Sequence, residues 1–173
     1  GFAVQRNRVL AQATSDYIFF LDADEVITPA LQAEIEAAVC SNARAVWKIH
    51  WSVVAYGKEL KHFLSQSSLE RMFRRDMLVE YRGVVHEEPI LVDAEKGAPR
   101  HVFHAKLLHY SRETVRGSLE KLTQYSMLGA AKRAAAGKRG GVVRGLASGL
   151  AIFIRLYIFR LGYTGGGAGF LFC

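Results

Sequence analysis

Apolar and polar positions divide the 173-residue chain into a mixed α/β part and a helical tail. Residues 3–13 carry Val4, Val9, Leu10 and Ala13 at helical spacing and predict a first helix. Tyr17-Ile-Phe-Phe-Leu21 is a short continuous apolar run, the pattern of a strand buried on both faces, and it ends in Asp22-Ala-Asp24-Glu25. Thr28-Pro29 then reads as a helix start, with Thr28 as N-cap, Pro29 at the first helical position, and Leu31, Ile35 and Val39 on the inner face. Residues 46–54 alternate, with Trp47, Ile49, Trp51 and Val53 on one side and Lys48, His50 and Ser52 on the other. Further strands are expected over 69–73, 79–85 and 101–109, with a turn-rich stretch at 93–99. Ser111 is expected to cap a helix through Val115, Leu119, Leu122 and Tyr125 that fades near Gly137.

Charge changes this picture at one point. The first 120 residues hold 15 Lys plus Arg against 16 Asp plus Glu, a net of −1, whereas residues 121–173 hold eight basic residues and no acid. The overall +7 therefore belongs to the tail, which calls for an anionic partner. Between those charges, residues 145–154 are uncharged, fewer than the ~20 a spanning helix needs. On a helical wheel Arg144, Ser148 and Arg155 fall within roughly 40° of one another, while Leu146, Leu150, Phe153, Ile154 and Tyr157 fill much of the remainder. An apolar helix with a narrow basic edge suits the interface of an anionic membrane, lying on it rather than crossing it. Nucleic acid is disfavoured, since the aromatics cluster with aliphatics instead of alternating with basic residues. The two cysteines, Cys40 and Cys173, are too far apart for a metal knuckle or a disulfide framework and suit a reducing compartment.

The candidate chemistry lies at Asp22 and Asp24. A buried strand that ends in Asp-x-Asp sets two carboxylates at the C-terminal edge of a sheet, where open α/β folds bind ligands. On a continuing strand the two would share a face and could approach one Mg²⁺ or Mn²⁺. Read without that cation, they are two acids stabilised by the following helix dipole. The same pattern suits the first motif of haloacid-dehalogenase-like phosphatases. That family needs a later acidic pair, and after Asp24 the only aspartates are Asp76 and Asp93, neither paired. His86-Glu87-Glu88-Pro89-Ile90 is no zinc motif, because position 90 is Ile and Pro89 spoils a helix.

Gln5-Arg6-Asn7, Ala11-x-Ala13-x-x-Asp16-Tyr17-Ile18 and Leu21-Asp22-Ala23-Asp24-Glu25 together resemble the middle of a family 2 glycosyltransferase with the GT-A fold. Arg71-x-Phe73, Gly83-Val84-Val85-His86-Glu87 and Leu108-His109-Tyr110-Ser111 resemble one branch of it, the bacterial transferases related to the lipopolysaccharide inner-core β-glucosyltransferase. The resemblance implies an α/β, Rossmann-like nucleotide-diphospho-sugar transferase fold over residues 1–128 and a basic membrane-associating helical tail over 129–173. It also implies that the first strands, which hold the base and ribose, precede Gly1, so that the piece alone is expected to be inactive.

The activity implied is metal-assisted, inverting transfer of a sugar from a nucleotide-diphospho-sugar to a lipid-linked or lipopolysaccharide-core acceptor at the cytoplasmic face of the bacterial inner membrane. A polyprenyl phosphate is the second acceptor. In this reading Asp22 and Asp24 hold Mg²⁺ or Mn²⁺ on the donor diphosphate, or Asp22 contacts the ribose instead. Arg6 and Asn7 lie near the nucleotide, or brace the first helix. Glu87 is the candidate base, with His86 as second choice or as its neighbour, and His109 could approach the metal or the diphosphate.

Overall fold

Residues 2–63, 68–83, 87–138 and 140–173 are described by the computed structural model of this chain. Helix α1 (Phe2–Gln12) buries Ala3 and Leu10, whereas Val4 and Val9 are exposed. The face turned inward is thus the one that also carries Arg6 and Asn7, one turn either side of those apolar contacts. Strand β1 (Tyr17–Phe19) follows, and the ladder continues one step further through Phe20 N–H to the Arg71 carbonyl at 2.9 Å. The chain then turns at residues 22–25, closed by Glu25 N–H to the Asp22 carbonyl at 3.0 Å, and enters the two-residue β2 (Glu25–Val26).

Helix α2 (Pro29–Cys40) starts as its sequence requires, with Thr28 Oγ1 accepting from Leu31 N–H at 3.2 Å and Pro29 in the first turn. Leu31 is fully buried and Ile35 and Ala38 pack beside it, but Val39 is exposed. A strict spacing of four drifts off the buried stripe, because the helix turns once every 3.6 residues.

The chain forms two compact units, residues 1–51 with 66–108 and residues 52–65 with 109–173. The first unit is built on a sheet in the order β1-β6-β3-β9, from β1, β3 (Val46–Ile49), β6 (Leu69–Arg74) and β9 (Arg100–Val102). β6 runs antiparallel to both neighbours, pairing Ile18 with Phe73 and Val46 with Phe73, with a register shift between Trp47 and Lys48, and β9 is parallel to β3. A second pair, β7 (Leu78–Arg82) and β8 (Glu88–Leu91), is antiparallel. One core cluster joins Leu10, Phe20, Phe73 and Tyr81, and another joins Leu31, Ile49, Met72 and Leu107. The long alternating stretch predicted over 46–54 is interrupted at His50, so β4 (Trp51–Ala55) is a separate strand.

In the second unit β4 is flanked by β10 (Leu107–Arg112) and by β5 (Lys58–Glu59), the latter through a hairpin that pairs Ala55 with Lys58. Tyr56 and Gly57 both take positive φ there, the geometry of a two-residue hairpin turn. Ser111 is absorbed into β10, and it is Thr114 that caps α3 (Val115–Ala135), accepting from Gly117 N–H at 3.1 Å. Helix α4 (Val142–Ile154) continues through a π-helical turn (Arg155–Phe159), and α5 (Gly166–Phe172) closes the unit. Val142–Phe159 is, among the described residues, one helical stretch long and apolar enough to cross a membrane by length and composition. Arg144 and Arg155 lie within this stretch, which measures roughly 27 Å along its axis.

Candidate active site

Arg6 organises the first unit's charged residues. From the inner face of α1 its Nη2 donates to Asp22 Oδ1 at 2.9 Å, and its Nε donates to Glu87 Oε1 at 3.2 Å. The guanidinium lies 5.5 Å from the ring centres of both Phe20 and Tyr81, which shield it from solvent. Asn7, one residue on, spends its side chain on the backbone of β7: Nδ2 donates to the Tyr81 carbonyl at 3.0 Å and Oδ1 accepts from Tyr81 N–H at 2.6 Å. That pair of bonds fixes α1 against β7 and so fixes where Arg6 emerges.

Asp22 receives a second guanidinium from the opposite side. Arg71, on β6 and only 3% exposed, donates through Nη2 to Asp22 Oδ2 and to Glu25 Oε1, both at 2.8 Å. Glu25 is itself buried. Its Oε1 also accepts from Trp51 Nε1 at 2.9 Å, and its Oε2 accepts from Asp22 N–H at 2.9 Å. Partial burial works to raise the Asp22 carboxyl pKa, but the hydrogen bond and charge of Arg71, then of Arg6, outweigh it and hold the group below the usual aspartate value. Burial pushes the Tyr81 phenol well above its ordinary value. Arg71 Nε and Tyr81 Oη are buried without hydrogen-bond partners among the described residues. Beside this network lies a cavity of about 350 Å³ lined by Arg6, Glu70, Arg71, Tyr81, Glu87 and Glu88.

The structure thus brings Arg6, Asp22 and Glu87 together, with Arg6 bridging the two carboxylates. Glu87 is not paired to Arg82 or Arg74, whose guanidiniums meet Glu80 and Asp76. Asp24 is exposed on the turn after Asp22 rather than two positions along a strand, so the shared-face geometry expected of the pair does not apply. Both oxygens of Asp22 face guanidiniums, and the described residues contain no group of three or more His, Cys, Asp or Glu able to hold a metal. As arranged, this donor set does not fit a divalent cation at Asp22. His109 stands on β10 in the second unit, and His86 lies outside the described residues. Arg71, Glu25 and Trp51 were not singled out by sequence reasoning for any role here. The available signal was a basic residue next to the apolar pair Met72-Phe73 on one strand, which, once buried with them, needs a buried acid as partner.

These elements define an α/β unit whose edge strand β1 delivers a carboxylate into a two-arginine clamp beside a small-molecule-sized cavity. Residues 1–85, just under half of the chain, match the family model described as Glycosyl transferase family 2. The SPbeta prophage-derived glycosyltransferase SunS of Bacillus subtilis (strain 168) and the glycosyltransferase SunS of Bacillus phage SPbeta are each 34% identical over 89 residues, a match covering 51% of this chain. The chain spans about a fifth of those relatives, 20% of each.

Proposed function

We propose that this chain is part of an enzyme that transfers a sugar from a nucleotide-diphospho-sugar to a hydroxyl of a lipid-linked saccharide, with inversion. A lipopolysaccharide-core acceptor comes first and a polyprenyl phosphate second. The observation that carries the reading is the Arg6 bridge between Asp22 and Glu87, with Arg6 and Asp22 inside the segment that matches the glycosyltransferase family and Glu87 just beyond its end. Arg6 and Arg71 would meet the negative charge of the donor diphosphate, and preorganised cations aimed at a leaving group lower the barrier without reorganising. Glu87, beside the cavity, would take the proton of the attacking hydroxyl.

Because the donor set at Asp22 does not fit a cation, no step of the transfer is assigned to one. The metal reading rests on Asp24, and its test is direct. If Asp24 approaches Mg²⁺ or Mn²⁺ brought with the donor, Asp24→Ala should lower transfer roughly a hundredfold or more and chelator should do the same to the unmodified enzyme. Wild-type rates in Asp24→Ala, together with indifference to chelator, would remove the metal from the reaction.

The tail supports a place at the cytoplasmic face of an anionic membrane. Leu146, Leu150, Ile152 and Phe159 are all exposed on the Val142–Phe159 helix, and every charge after Glu120 is basic. Binding to anionic vesicles is expected to weaken as salt rises and to be largely lost when Arg144 and Arg155 become Glu. Equal binding to neutral vesicles at high salt would make the charge incidental. Protease protection on both sides of a bilayer would show that the helix crosses it.

A further inference from the structure

The second unit holds a basic cavity that the transfer reading leaves unused. The turn after β5 alternates anchors and cations. Leu60 and Phe63 are buried among Leu156, Ala168, Phe172 and Cys173, with the Phe63 and Phe172 rings 5.1 Å apart, while Lys58, Lys61 and His62 are exposed. Facing them is the glycine-rich turn before α5. Gly165 is buried, and a Cβ there would lie 2.6 Å from Leu60 Cδ2, so a larger residue would require the Leu60 side chain to shift. Gly166 has φ +61°, and Lys58 Nζ stands 3.7 Å from where its Cβ would be, so the ammonium lies against bare backbone.

Between the two turns is a cavity of about 380 Å³, lined by Lys58, Lys61, His62, Thr164 and Gly165. The lining also includes Glu59, whose carboxylate accepts a hydrogen bond from Ser52 Oγ at 2.6 Å. The side chains of Lys58, Lys61 and His62 make no hydrogen bond or ion pair among the described residues. Two lysines against the one carboxylate of Glu59 leave the charge of the lining positive on balance, which favours an anion.

Its position narrows the class of anion. Leu60 and Phe63 pack on Leu156, inside the π-helical turn that ends Val142–Phe159. At the same end Phe153 stacks on Tyr157 at 5.1 Å, and Tyr157 meets Tyr163 and Phe170 at 6.3 and 5.9 Å. Aromatic clusters at the end of an apolar helix, next to basic groups, mark the depth of lipid headgroups.

We propose that the cavity between the β5 turn and the Thr164–Gly166 turn binds a phosphate group, carried by a membrane lipid headgroup or by a soluble phosphate compound. The lipid source rests on the membrane reading above; the soluble source does not. The test compares the full chain with Lys58→Gln/Lys61→Gln and with Lys132→Gln/Lys138→Gln, which removes the same charge elsewhere in the unit. Binding to phosphatidylcholine vesicles containing phosphatidylglycerol is measured alongside amide shifts of Gly165 and Gly166 on titration with inorganic phosphate against chloride of equal ionic strength.

A loss of vesicle affinity in the first variant about tenfold beyond that in the second assigns the site to a lipid headgroup. Phosphate-specific shifts that vanish in the first variant only, with equal vesicle losses, assign it to a soluble phosphate. Equal vesicle losses with no phosphate-specific shift overturn the site. Should the unmodified chain ignore all vesicles, the membrane reading falls and the amide titration alone decides the cavity.

Discussion

Glu25→Ala is expected to destabilise the first unit by roughly 3–5 kcal/mol, the cost of breaking a buried ion pair by removing one partner. The Glu25 side chain is 2% exposed and its carboxylate holds three donors at once: Arg71 Nη2, Trp51 Nε1 and Asp22 N–H. Its loss leaves a guanidinium that is 3% exposed with Asp22 as its remaining carboxylate, and releases the turn that aims Asp22 at Arg6. Urea unfolding followed by tryptophan fluorescence reads the change, since Trp51 sits on the pair. A loss below about 1 kcal/mol would mean that Asp22 and water satisfy Arg71 unaided.

Acid should act on the same network through Asp22. Its folded pKa lies below the unfolded one, so the stability it contributes is fully present above the ordinary aspartate pKa of about 3.9 and is lost as pH falls through the lower folded value. Asp22→Asn should remove that acid-dependent component.

What the sequence made legible was the scaffold that follows from local chemistry. The Thr28-Pro29 start, the apolar run at 17–20 and the alternation on either side of His50 each form as their patterns require. The failures share a cause. Helix α1 was read for an apolar face, yet its inward stripe is Ala3, Arg6, Asn7 and Leu10, because the buried side of this helix serves a polar site. The partnership of Arg71 with Glu25 joins positions 46 residues apart and has no local signature. Asp22-Ala-Asp24 was read as continuing strand, whereas the Glu25 side chain bonds back to Asp22 N–H and turns the chain.

Glu87→Gln is expected to lower kcat by roughly 10²–10⁴ with little change in donor KM, if Glu87 is the base that the transfer requires. A sugar hydroxyl must lose its proton as it attacks, and Asp22 is engaged by two arginines, so it is poorly placed to accept one. Glu87 lines the cavity beside Arg6, with its side chain 19% exposed. Glutamine keeps the length and still offers an oxygen to Arg6 Nε, so a carboxylate whose role is only to brace Arg6 would tolerate the change. The two roles therefore separate on one variant. A structural brace predicts near-normal kcat and a modest fall in melting temperature, while a base predicts a collapsed kcat on an intact fold. Arg6→Lys sharpens the contrast: it keeps a cation but cannot span Asp22 and Glu87 with one planar fork, so it should raise donor KM as well as lower kcat. Normal turnover by Glu87→Gln, with circular dichroism unchanged, would move the base to another residue and leave Arg6 holding two carboxylates for architecture alone.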